Sequence, residues 1–183
     1  MSAWLVFIDE SGLLLLPVVR RTWGPRGQTP VLWHIGRHRR KVSVIAALCV
    51  SPGRRAVRLY FQLLIEKNFD ADAVLAFSKH LHRHLRAPMA LVWDRSNTHR
   101  TADIRDFVAR IGSCHFHFPS YAPELNPVEY VWSYLKTKPL ANLACPDVDE
   151  LALVGRRHAR SIQRRPQLLR AFIHHSPLAL RLA

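Results

Sequence analysis

From Trp4 to Ile65 the apolar residues come in short β-rich runs; from Asp70 onward they recur at helical spacing, with two further short runs between. Residues 4–9 and 13–19 read as two strands joined by the turn-like Glu10-Ser11-Gly12. A connection marked by Pro and Gly occupies 20–40, Val42 to Val50 is β-rich, Ser51-Pro52-Gly53 signals a turn, and Val57 to Ile65 fits a further strand. The period then changes. Asp70 suits an N-cap, and Val74, Phe77, Leu81 and Leu85 share one helical face until Pro88. Met89 to Trp93 is a short apolar strand, 100–111 a helix, and 114–118 alternates as a strand does. After a loop over 119–127, a helix of about 127–137 carries Val128, Val131, Trp132 and Leu135 on one stripe. Asp147 and Glu150 form a capping-box pair for another helix, and Pro166 opens the last one, with Leu168, Leu169, Phe172 and Ile173. Strands first, then alternating strand and helix, then helices: this order predicts an α/β sandwich with a mixed sheet.

A chain of 183 residues with 49% hydrophobic content suits one domain with a real core. No apolar stretch approaches the eighteen residues of a membrane span, and the N-terminus lacks a secretory pattern. Cys49, Cys114 and Cys145 are odd in number and far apart, which argues against a disulfide framework or structural zinc and makes a reducing cytosol the default.

Charge sharpens this. Lys and Arg number 27 against 13 Asp and Glu, a net +14. Residues 11–65 hold ten Lys/Arg and no acid, and 151–183 hold seven Arg and no acid. Two basic flanks enclose the part that carries the carboxylates, so a polyanion is the natural partner. Arg20, Arg21, Arg26, Arg37, Arg39, Arg40 and Lys41 form the best candidate phosphate-contacting surface, for which the planar guanidinium fork is suited. The competing reading is a solvated basic loop.

Three acids stand out by position. Asp9 ends the run Trp4-Leu5-Val6-Phe7-Ile8, Asp94 ends Met89-Ala90-Leu91-Val92-Trp93, and Glu129 begins a helix with thirty-four residues between it and Asp94. Strand ends are where α/β folds collect functional side chains. Hard divalent cations prefer oxygen ligands, and two of them about 4 Å apart activate an attacking oxygen and stabilise a leaving one. Each acid also has a local explanation. Asp9 could open a turn, Asp94 could be an Asx-type residue, and Glu129 falls where a capping-box carboxylate belongs, after Asn126 and Pro127. Glu10 and Glu124, acids next to the proposed ligands, read as solvent-exposed, with a supporting role or service as alternative ligands as the competing readings. His99 is expected to make a structural hydrogen bond, with approach to a phosphate as the alternative, and Trp132 to pack in the core.

The neighbours of these acids carry a resemblance. Tyr121-Ala122-Pro123-Glu124-Leu125-Asn126-Pro127-Val128-Glu129-Tyr130-Val131-Trp132 resembles the segment around the third catalytic acid of DDE transposases of the mariner-like and related bacterial insertion-sequence group. Val92-Trp93-Asp94-Arg95-Ser96-Asn97-Thr98-His99-Arg100 resembles the second-acid segment, and Phe7-Ile8-Asp9-Glu10-Ser11-Gly12 the first. The resemblance covers about residues 4–140. It implies an RNase H-like fold, a central five-stranded mixed sheet with helices on both faces. It implies that Asp9, Asp94 and Glu129 bind two Mg²⁺ or Mn²⁺ ions, that element ends are cut and a 3′-hydroxyl is joined to target DNA, usually at TA, and that the setting is the bacterial cytoplasm, at the nucleoid. Double-stranded DNA is the implied partner, and a homodimer the implied working state.

Residues 1–145 are expected to form the catalytic domain, and 146–183 its basic helical extension. The helix-turn-helix module usual in this group is not seen before the first strand, so an upstream partner half is one expectation. A DNA-binding remnant without catalysis is the competing reading, and a general RNase H-type nuclease a third.

Overall fold

The computed structural model describes residues 3–34 and 40–183. Strands β1 (Trp4–Leu14), β2 (Lys41–Val50), β3 (Val57–Ile65), β4 (Met89–Trp93) and β5 (Cys114–His117) form one sheet in the order β3-β2-β1-β4-β5. β1 pairs antiparallel with β2 and β2 with β3, whereas β1–β4 and β4–β5 are parallel. Among the described residues five α-helices complete the fold: α1 (Ala71–Leu85), α2 (Ala102–Arg110), α3 (Pro127–Thr137), α4 (Val148–Gln163) and α5 (Pro166–His175).

The period-2 alternation of strands sorts the core into two layers. Trp4, Val6 and Ile8 of β1, with Ile45, Ala47 and Cys49 of β2, pack against α1 and α2. Phe7 of β1, with Val42, Val44, Ala46, Leu48 and Val50 of β2, packs against α3, α4 and α5. Because β2 is covered on both faces, it reads as a nearly unbroken apolar run.

The helix boundaries follow from their caps. The Asp70 side chain accepts from Ala73 N at 2.8 Å, and that of Asp147 accepts from Glu150 N at 2.8 Å. α1 ends at Arg86, whose left-handed backbone donates to His82 O. Gly155 lets α4 lie close on the sheet, since a Cβ there would meet Leu13 Cδ1 at 2.9 Å.

Two expectations needed revision. Residues 10–12 make no turn: Glu10, Ser11 and Gly12 pair with Ile45, Val44 and Ser43, so β1 runs unbroken to Leu14. A partner strand long enough to satisfy the backbone outweighed the local turn signal. Beyond it, among the described residues, only an isolated bridge, Val18 to Ala141, is formed where a second strand over 13–19 was expected. The loop over 119–127 contains a short 3₁₀ turn, Pro123–Leu125, and another, Asn97–His99, precedes α2.

Candidate active site

Three separate pieces of chain deliver the three acids to one place. In the parallel β1–β4 ladder Phe7 lies opposite Val92. The same offset carried two residues further sets Asp94, just past β4, level with Asp9. The third acid arrives on the first turn of α3. Asn126 caps that helix, its Oδ1 accepting from Val128 N at 3.2 Å, while its Nδ2 donates to Ile8 O at 3.1 Å. One buried amide therefore starts the helix and ties that start to the residue before Asp9.

Asp9, Asp94 and Glu129 line a single cavity of about 350 Å³, together with Arg95, Ser96 and Tyr121 among others. The capping explanation for Glu129 loses its object here. The Asn126 amide that a capping-box carboxylate would accept from donates instead to Pro123 O at 2.9 Å. The turn explanation for Asp9 fails with the turn itself. Asp94 does accept from Ser96 N at 2.9 Å, so its Asx-type role and its place on the cavity wall coexist.

Each aspartate is gripped by a partner. Trp132 Nε1 donates to Asp9 Oδ2 at 2.7 Å. Trp132 is three residues after Glu129, so one helical turn presents the acid to the cavity and the indole to Asp9. His99 lies 2.7 Å through Nδ1 from Asp94 Oδ1, and 2.9 Å through Nε2 from Glu10 Oε1. With a carboxylate at both nitrogens the ring is doubly donating, hence an imidazolium. It is buried and stacks on Trp93 at 4.7 Å, tilted by 9°.

The electrostatics follow. Burial, then the charge of Glu129, pushes the Asp9 carboxyl up to about 8; Trp132 opposes this, while Glu10 and Asp94 add to it. Burial also raises Glu129, with Lys136 opposing. The hydrogen bond from His99 holds Asp94 below the usual carboxylate range despite partial burial. Burial alone would depress His99, but the hydrogen bonds to Asp94 and Glu10 outweigh it and hold its pKa up at about 9.

Oxygen-only donors and mutual repulsion fit hard divalent cations, which take carboxylates and keep several waters. The site is not a finished cage: among the described residues no three His, Cys, Asp or Glu side chains are drawn together closely enough to hold an ion as they stand. The three carboxylates nonetheless share one cavity wall.

Glu10 is not the solvated acid the sequence suggested. It follows Asp9 in a strand, so alternation sends it to the opposite face, where it meets His99. Glu124 is exposed, as expected. Trp132 packs in the core and His99 makes a structural hydrogen bond, both as expected, but their partners, Asp9 for the indole and Asp94 and Glu10 for the imidazole, were missed, as were the cavity places of Arg95 and Tyr121. Available signals were the i, i+3 spacing from Glu129 and the position of Arg95 directly after the second acid.

Among the described residues, none of the proposed phosphate contacts (Arg20, Arg21, Arg26, Arg40 and Lys41) lines this cavity. Arg20, Arg21 and Arg26 are exposed on the excursion between β1 and β2, beside the exposed Trp23 and Trp33. Arg40 is engaged by Glu66, Nε to Oε1 at 2.7 Å and Nη2 to Oε2 at 3.1 Å. Lys41 begins β2, partly buried. Arg37 and Arg39 lie outside the described residues.

Comparison with known proteins places the fold beside solved structures. The fold is similar to that of the Mos1 mariner paired end complex with Mn, with a TM-score of 0.71 and 16% identity over 94% of this chain and 52% of that one. It is similar to a pre-cleavage Mos1 transpososome, with a TM-score of 0.63 and 16% identity over 97% of this chain and 57% of that one. The catalytic domain of Mos1 mariner transposase gives a TM-score of 0.55 and 13% identity, covering 97% of this chain and 84% of that one. The chain thus has the RNase H-like fold and spans about half the length of the first of these relatives. No curated protein sequence matches it. No helix among the described residues is long and apolar enough to cross a membrane. The model of the DDE superfamily endonuclease family matches residues 4–152, and to that family the chain belongs.

Proposed function

We propose that the chain is the catalytic domain of a metal-dependent DNA transposase, in which Asp9, Asp94 and Glu129 hold two Mg²⁺ or Mn²⁺ ions. The observation that carries this reading is the convergence of the three carboxylates on one cavity from β1, the end of β4 and the start of α3. Support comes from the family match and from relatives whose complexes are described with Mn and with Mg.

When bound, such ions supply an activated water and offset the charge that builds on the phosphate. The protein's own part is orientation and charge. Trp132 fixes one oxygen of Asp9 and leaves the other for a ligand. His99, braced by Glu10 and Trp93, keeps Asp94 ionised and immobile. Arg95, at the cavity wall, can neutralise a phosphate oxygen. Element ends are the substrate for cutting, and target DNA is attacked by the freed 3′-hydroxyl.

Under this reading 1–145 is the catalytic unit and 146–183 its extension, since α4 and α5 pack on the same face as α3. Reading of the element ends falls to a helix-turn-helix partner segment, and two copies act together on DNA in the bacterial cytoplasm. The test is plasmid nicking in Mn²⁺. Wild type should nick, and Asp94→Asn should lose at least about a hundredfold in rate, as expected when a charge-stabilising group is removed. Equal nicking by both would refute the assignment.

A further inference from the structure

A second feature lies on the far side of the sheet's β3 edge. α4 carries Arg156, Arg157 and Arg160, and Arg164 is its C-cap; all are exposed, and none has an acidic partner among the described residues. Arg156, Arg160 and Arg164 follow one another at i, i+4 and i+8 and so form one stripe along the helix. Like charges at that spacing destabilise a helix. The helix dipole offsets cations only in the last turn, and Arg156 and Arg157 sit mid-helix. The stripe is therefore a cost to the isolated chain that a polyanion would relieve.

Its course is set by packing. Gly155 faces Leu13 and Leu63, and Gln163 Nε2 donates to Leu59 O at 2.7 Å, so α4 descends β3 from its carboxyl end toward its start. Arg170 of α5 continues the line, donating to Arg55 O at 3.2 Å in the β2–β3 turn. Two open clefts flank the stripe and share Arg156 and Arg160. One, of about 430 Å³, lies between α1 and α4 and adds His80, His84 and Tyr60; the other, of about 530 Å³, is lined largely by arginines. Among the described residues no acid lines either cleft, and neither shares a residue with the carboxylate cavity.

We infer that the α4–β3 edge is a second DNA-binding track, one that grips the phosphate backbone of a duplex outside the carboxylate site. Arg156 and Arg164 are about 12 Å apart along the helix axis, the axial span of three to four phosphates on one strand. Arginine forks contact phosphates without reading bases, so the track binds duplex without regard to sequence. The inference rests on the reading that the chain acts on DNA.

The test is duplex binding by fluorescence anisotropy over a salt series, with the full chain and no divalent cation, so that failure of the cleavage chemistry leaves it unaffected. Replacing Arg156, Arg160 and Arg164 with Gln should lower the slope of log K against log salt by about two to three, near 0.9 per lost phosphate contact. The same three positions changed to Lys should keep the slope. A control with equal charge loss on α2 and its approach, Arg100→Gln/Arg105→Gln/Arg110→Gln, should lower it by less than about one. Equal effects of the two glutamine triples, or none from the α4 triple, would overturn the track. So would poly-glutamate binding that the α4 triple abolishes while duplex binding stays intact, since that assigns the stripe to an acidic protein.

Discussion

The indole of Trp132 donates to Asp9 across 123 positions of sequence, at 2.7 Å, and fixes one carboxylate oxygen at the end of a strand from the flank of a helix. Asp9 is the most perturbed of the three acids, pushed up to about 8 chiefly by burial and by Glu129, and the indole is the one group acting the other way. Trp132→Phe keeps the buried ring and deletes the donor. Asp9 should then hold its proton more tightly, and half-saturating Mn²⁺ for nicking should rise at least about tenfold, with a stability loss of about 1–2 kcal/mol. Unchanged metal dependence would show that the bond does not orient Asp9 for metal.

Removing the Asp9 charge should help the fold while harming the chemistry. Its folded pKa is raised, so the native state retains a proton that the unfolded chain loses near pH 4. The contribution of Asp9 to the stability of the metal-free protein is thus full below about pH 4 and falls as pH rises toward 8. Asp9→Asn should therefore melt at least about 2 °C above wild type at pH 8 without metal, with the gap closing below pH 4. Added Mn²⁺ should stabilise wild type and leave the variant unmoved. A variant no more stable than wild type at pH 8 would contradict the burial argument.

His99 gives the opposite variant behaviour. Replacement by Gln leaves Asp94 and Glu10 without their cation, and should cost about 2–4 kcal/mol at neutral pH. The His99 pKa is raised in the fold, so its contribution is full below about 6.5 and lost as pH rises through about 9. That of Asp94 is lowered, so its contribution is present above about 3.8 and lost as pH falls through its depressed value. The wild-type advantage should peak between about pH 4 and 6.5 and shrink on either side. Urea melts across pH measure it, and a flat difference would mean that packing against Trp93 alone accounts for the loss.

Tyr121 lines the cavity fully exposed, with φ of 59°, a left-handed backbone that disfavours a bulky side chain. Strain of this kind gathers at functional sites. Tyr121→Gly should raise stability by about 1 kcal/mol while lowering nicking. A destabilised variant would show that the ring holds the loop in place.

The strands and helices were legible because their signals were local and strong. Asp70, Asn126 and Asp147 mark helix starts that the hydrogen bonds reproduce, and the stripe Val128, Val131, Trp132 and Leu135 is buried throughout. The false turn at Glu10-Ser11-Gly12 shows where local chemistry gives way to a partner strand, which no local window contains. The three acids could be named from position and from a resemblance. Their supports could not. Trp132 meets Asp9, and His99 meets Glu10, only because helix and sheet periods bring distant residues onto one face. The excursion's arginines were read from charge alone, and Arg40 illustrates the limit, since Glu66 holds it.

Mn²⁺ titration by isothermal calorimetry addresses the carboxylate trio without depending on any DNA substrate. The wild-type chain should bind Mn²⁺ saturably and release protons at pH 7, where Asp9 is largely protonated. Asp9→Asn, Asp94→Asn and Glu129→Gln should each weaken binding at least about tenfold. Saturable binding that survives all three substitutions, or none in the wild-type chain, would contradict a metal centre built from these residues.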